Sequence, residues 1–357
     1  MNRFCKLTIK TKIAIIFTTT KINLGDGYMA NKETVEKAIA DSNQFINNTT
    51  AEQLVTLADD KFASGVRNGW YGRIVDGIAN FGYSVRNATL VLLQNPESSR
   101  VNSMNGWNYN GRAIAKGQKG MKIVAPVFGE NNKATGYKIS YAFDISQTSP
   151  SASGKGTKEV HCNKEFIEKH FGKIKEIVAS CAKGYAFSET ANSFDYEKTK
   201  QLFIDEELSP TEQIACMIGS IADMKVGVKQ PQVDNKNPNV YKIDDTKASS
   251  RMTSNVISYI ACRQLGIDSV PLSIPSDFAE YTDEEVKKLS SNLNFAKGVA
   301  SNIVGAVENY VIDIANASKI AEATRLDEQD NKIVNVTNKN TRQNDKQSQM
   351  KKDEDAM

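Results

Sequence analysis

Between Tyr83 and Thr148, aromatic, amide and basic side chains interleave around glycines, a combination suited to gripping a polyanion whose bases are unpaired. A single strand asks for cations that follow its phosphates and flat side chains on which bases stack, each stacked base contributing about 1–3 kcal/mol. Trp107 and Tyr109 stand just before Arg112, Lys116, Lys119 and Lys122, while Tyr71 and Tyr83 precede Arg73 and Arg86. From Lys61 to Lys138 there are eleven Lys or Arg against three acids, Asp76, Glu97 and Glu130, a local excess of eight in a chain of net charge +3. Charge concentrated in this way is the electrostatic footprint that phosphates require. The stacking candidates are Tyr83, Trp107 and Tyr109, and the phosphate candidates are Arg86, Arg100, Arg112, Lys116, Lys119 and Lys122. Asn87 either hydrogen-bonds a base or sugar or caps a turn. Gly111, Gly117 and Gly120, without a Cβ, let backbone N–H groups approach phosphate closely. The competing reading makes Trp107 a core residue and the lysines a solvated face.

The flanking sequence predicts the scaffold for these residues. Thr50 with Gln53 makes a capping box, and Leu54, Leu57, Phe62 and Val66 recur at helical spacing, so one long amphipathic helix is expected to end near Asn80-Phe81-Gly82. Ser84 opens a second helix through Leu93, stopped by Pro96, and a third short helix carries Trp107 to Ala115 before the turn Gly117-Gln118-Lys119-Gly120. Residues 121–128 alternate with Met121, Ile123, Ala125 and Val127 on one face, and residues 137–143 with Tyr137, Ile139, Tyr141 and Phe143. With the polar GENNKATG between them these form a β-hairpin wing on a helical body.

The 357 residues, 40% of them hydrophobic, suffice for two cores. Residues 149–162 are Ser- and Gly-rich at their start and read as a linker, and beyond Ser318 the amide-rich chain lacks the apolar residues that offset folding entropy, so 318–357 reads as a disordered tail. Residues 1–30 read as an arm, with Met29 an alternative start. The apolar run Ile13 to Phe17 falls short of the roughly 7–15 residues of a secretory segment, and no stretch approaches the roughly 20 needed to span a bilayer. Five cysteines without C-x-x-C spacing argue against a disulfide scaffold or zinc ribbon and for a reducing cytoplasm.

Taken in order, Tyr83-Ser84, Asn87, Asn95-Pro96, Trp107, Gly111-Arg112, Lys116-Gly117, Lys119-Gly120, Ile123, Pro126, Phe143-Asp144 and Gln147-Thr148 resemble the N-terminal single-stranded-DNA-binding domain of ArdC-type antirestriction proteins and the LtrC-like proteins of mobile elements. The match is ordered from Tyr83 to Thr148, and Gln118 stands where the family has an acid. The resemblance implies an α+β chain: a helical DNA-binding domain with a β-hairpin wing over 31–148, then a mainly helical metallopeptidase-like domain over 163–317.

In that family an H-E-x-x-H helix and a downstream glutamate supply three zinc ligands. The helices have counterparts: one opening at Ser209 with Glu212 and Pro210, one over 249–268 that matches in Ile257, Tyr259, Cys262, Gly266, Ile267 and Asp268, and one starting at Thr282 with Glu285. The catalytic motif, however, falls on Gly219-Ser220-Ile221-Ala222-Asp223 and the downstream ligand on Asn255. A catalytic zinc needs three protein ligands and an open position, whereas Gly219 has no side chain and Ser220 is no base at neutral pH. The two histidines, His161 and His170, stand nine apart and so do not share a helix face. The expectation is therefore no metal, no cofactor and no peptidase activity. The resemblance implies a sequence-nonspecific single-stranded-DNA-binding protein of a plasmid or phage that protects incoming DNA from host restriction. The alternative is a protein-interaction module, a pseudo-peptidase that binds a host restriction or defence protein. A residual hydrolase built on Asp223, Ser220 or Asp245 has no partnered base or nucleophile in the sequence.

Overall fold

The computed structural model describes the backbone of residues 46, 49–130, 133–151, 162–191, 196–228, 232–234, 237–242, 248–274 and 277–354. His161 and the N-terminal arm 1–30 lie outside the described residues, as does most of the 149–162 segment. Helices are mixed with small sheets. The first half runs α1 (Ala51–Arg67), α2 (Tyr71–Phe81), α3 (Val85–Gln94), β1 (Val101–Asn102), α4 (Met104–Tyr109), β2 (Arg112–Ile114), β3 (Met121–Phe128), β4 (Ala134–Asp144) and β5 (Thr148–Pro150). The second half runs α5 (Lys164–Lys169), α6 (Phe171–Ser180), β6 (Ala186–Ser188), α7 (Tyr196–Thr199), β7 (Gln201–Phe203), α8 (Pro210–Val226), β8 (Gln232–Asp234), β9 (Asn237–Lys242), α9 (Ala248–Gln264) and α10 (Asp283–Glu354).

Two expectations change in detail. The long first helix is two helices: Gly69 takes a left-handed backbone at φ 81°, and the apolar pattern restarts on a new face at Tyr71, Ile74, Val75 and Ile78. The Trp107 helix stops at Tyr109 because Gly111 is left-handed at φ 70°, and Arg112–Ile114 leaves as a strand paired antiparallel with β5. Helices α5 and α6 likewise divide at His170, whose ring stacks on Phe166 at 4.4 Å.

The hairpin forms with β4 between β1 and β3, in a register running from Met121 opposite Ala142 to Phe128 opposite Ala134, with an irregularity at Val127/Phe128. Its inner end packs on a core of Ile46, Leu54, Ala58, Leu90 and Val124, flanked by Tyr137 and Ile139. Helix α3 lies along the outer edge of β3. There Gln94 Nε2 donates to the Lys122 carbonyl (2.9 Å) and its Oε1 accepts from the Lys122 N–H (2.8 Å). Asn87 does the same for Val124, at 2.9 and 3.0 Å. Residues 87 and 94 are seven apart, two helical turns, so both amides leave one face of α3.

The chain divides into two units, Met1–Val307 and Glu308–Met357. Within the first, helices from both halves pack together. Gln264 Nε2 donates to the Ala79 carbonyl (2.8 Å), the Tyr259 hydroxyl bonds Asp76, Arg67 bonds the Tyr281 carbonyl (3.0 Å), and Tyr71 and Phe278 stack at 4.6 Å. Described residues of 49–148 and of 163–307 thus pack within the first unit. In the second unit the backbone is helical as far as Glu354, where composition alone suggests disorder; no glycine or proline follows Gly305 to interrupt it. Among the described residues no helix is long and apolar enough to cross a membrane.

Candidate nucleic-acid interface

Several residues singled out by type turn inward. Trp107 is 0% exposed, its Nε1 donates to the Phe143 carbonyl at 2.8 Å, and the Arg100 guanidinium lies 5.8 Å over its ring. This corrects its reading as a base-stacking ring: it is the one buried side chain of a six-residue helix and anchors that helix to β4. Asn87 spends both amide atoms on the Val124 backbone, a use that neither sequence reading gave it. Arg86 forms a two-pronged bond to Asp59 (2.7 and 2.8 Å) and reaches the Tyr137 hydroxyl at 3.2 Å. The Asp59 carboxylate raises the guanidinium pKa and compensates its charge, so Arg86 is not an open phosphate partner. Tyr83 is half-buried, and burial pushes its hydroxyl pKa up.

A second set of bonds holds the loop between β2 and β3. Buried Asp144 accepts from the backbone N–H groups of Ser99 (2.8 Å), Arg100 (3.1 Å) and Ser146 (2.9 Å) and from the Ser146 hydroxyl (2.6 Å). Burial works against its charge, yet these donors together hold the carboxyl below the ordinary range. Gln147 Nε2 donates to the Lys119 carbonyl (2.9 Å), and the Ala115 N–H donates to the Gln147 carbonyl (2.9 Å). Arg112 donates to the Thr148 hydroxyl (2.6 Å) and carbonyl (3.2 Å). Gly117, at φ 85°, takes the turn that a side chain would strain.

What faces solvent is therefore narrower than the sequence reading. Tyr109 is 67% exposed, and Lys116 and Lys119 are exposed on the clamped loop, where neither ammonium meets a carboxylate among the described residues. Lys122 is half-buried and its Nζ donates to the Ile46 carbonyl at 3.0 Å; Arg112 is also half-buried. Sequence reasoning missed Tyr141, 50% exposed, and Phe128, 60% exposed. Alternation correctly gave Tyr141 one face with Tyr137 and Ile139. Alternation alone does not show where that face leaves the core: Tyr141 sits opposite Lys122, one pair beyond the packed Ile139 and Val124.

The α8–α9 pair occupies the part of the chain where the resemblance implies a metal. Helix α8 opens with Ser209 and Glu212 in a capping box and Pro210 at its first position, and closes on left-handed Gly227. A Cβ on Gly219 would lie 4.0 Å from Ser258 Oγ, so that position faces α9. Ser220 donates to the Phe203 carbonyl (2.7 Å), and Asp223 accepts from the Ser254 hydroxyl (2.5 Å). Asn255 holds the following loop, donating to the Pro271 carbonyl (3.0 Å) and accepting from the Ser273 N–H (2.7 Å). These residues do not fit a divalent metal: one position has no side chain, one is an amide committed to backbone, and the remaining carboxylate is engaged by a hydroxyl. Among the described residues no group of three or more His, Cys, Asp or Glu is placed to hold an ion.

No family model matches the sequence, and no curated protein matches it. Among solved structures, two crystal structures of the antirestriction ArdC protein from plasmid R388 are neighbours of this chain. The metal-free structure aligns over 70% of this chain and 98% of its own at 12% identity, with a TM-score of 0.36. The Mn(II)-bound structure aligns over 72% and 97% at 10% identity, with a TM-score of 0.40.

Proposed function

We propose that this chain binds single-stranded nucleic acid without sequence preference, and that it covers the incoming DNA of a mobile element against host restriction, the role implied by the ordered motif from Tyr83 to Thr148. One observation carries the binding reading. Lys116 and Lys119 project from a loop whose backbone is already tied down by Gln147 and by the turn at Gly117, so two uncompensated positive charges are held where a phosphate chain can pass. Tyr109 offers an exposed ring next to that charge in sequence, and Arg112 lends a partly used guanidinium. We further propose that the α8–α9 pair is catalytically silent, a reading supported by Gly219, Asp223 and Asn255 standing at the family's ligand positions.

The test is a titration of labelled oligonucleotides of several sequences at a series of salt concentrations. Affinity should be similar across sequences and fall linearly on a logarithmic salt axis. Lys116→Ala/Lys119→Ala should reduce that slope by about 0.7 per lysine for a single strand. A double variant with the parent's affinity and slope would remove the loop from the site.

A further inference from the structure

We propose that Tyr141 is the ring on which an unpaired base stacks, and hence the residue that makes binding selective for single strands over duplex. The inference rests on the nucleic-acid reading of the clamped loop and names the side chain that completes it. A strand-binding site needs a flat face beside its cations, and the buried indole of Trp107 does not supply one. Tyr141 is half in solvent and sits directly across the hairpin from Lys122. The lysine loop abuts it: a Cβ placed on Gly120 would lie 3.0 Å from Tyr141 Cβ and 2.9 Å from the Phe143 ring. Only a bare glycine backbone lets Lys119 and its loop approach the root of the ring so closely.

The strand beneath the ring is also held. Ala142 beside it is 0% exposed, and Phe143 carries the carbonyl that receives the Trp107 N–H, so β4 is pinned on the residue's C-terminal side. A ring carried on a rigid strand brings no cost of ordering the backbone when a base settles on it. In duplex DNA both faces of each base are already stacked on neighbours, so such a ring gives its benefit only to bases outside a helix.

The experiment measures binding of a labelled single strand and the matching duplex, at one salt concentration, to the parent, Tyr141→Ala and Tyr141→Phe. Tyr141→Ala should lose about 5- to 100-fold in single-strand affinity, the range expected for one stacked base, with duplex binding unchanged. Tyr141→Phe keeps the ring and should bind as the parent does, which separates stacking from a lost hydroxyl contact. A 2-aminopurine placed in the strand should be quenched by the parent and by Tyr141→Phe, and less so by Tyr141→Ala. Equal single-strand affinity for Tyr141→Ala, or equal losses for single strand and duplex, overturns the role of Tyr141 while the function stands. A parent that binds neither strand nor duplex overturns both. Thermal melts of the two variants that match the parent exclude misfolding as the cause.

Discussion

The hairpin region and the α8–α9 pair invite comparison, because each spends its most conspicuous polar residues on internal bonds. In the hairpin region the bonds run from side chain to backbone: Trp107 to Phe143, Asn87 to Val124, Gln94 to Lys122, Gln147 to Lys119. Bonds of that kind fix a main chain and leave neighbouring side chains turned to solvent, as Lys116, Lys119 and Tyr141 are. In the helix pair one bond runs from side chain to side chain, Ser254 to Asp223, and joins the two helices. Polar contacts thus leave side chains facing solvent in one place and join two helices in the other.

The contrast breaks most sharply at Trp107. Trp107→Ala should cost about 3–5 kcal/mol, as for other large buried side chains, and be read as a lower midpoint in denaturant unfolding. A variant that unfolds like the parent but binds DNA poorly would return the indole to the surface. Asn87→Ala should cost about 1–3 kcal/mol, because the Val124 N–H and carbonyl lose both partners in a half-buried setting; the same unfolding curves measure it. Asp223→Ala should cost about 1–2 kcal/mol. With the parent, a chelator or added Zn(II) or Mn(II) should leave the melting temperature unmoved if, as proposed, Gly219, Asp223 and Asn255 hold no ion; a metal-dependent shift would overturn that proposal. Smallest of all, Lys116→Ala/Lys119→Ala should change stability by no more than about 0.5 kcal/mol while weakening DNA binding.

Much of this was legible in the residues. The capping boxes at Thr50, Ser209 and Thr282 and the existence of a strand over 121–128 follow from local chemistry that the sequence displays, although burial along that strand does not alternate: Val124 is in the core and Val127 is exposed. Orientation was not legible. Amide, indole and guanidinium groups serve backbone as well as nucleic acid, so residue type alone does not say whether Asn87, Trp107 or Arg86 points in or out. Asp59, which neutralises Arg86, lies 27 positions away, beyond any local window. Tyr141 was hidden for the opposite reason: a tyrosine in an alternating strand looks like core until the point where its face leaves the core is known.

The amides of Asn87 and Gln94 have a consequence for how molecules of this kind crowd. A strand at the margin of a sheet exposes hydrogen-bonding groups that another chain can zip onto, and β3 is such a margin. Because α3 already occupies the outward groups of Lys122 and Val124, a neighbouring copy meets a finished border along that stretch rather than a template for fibrous self-assembly.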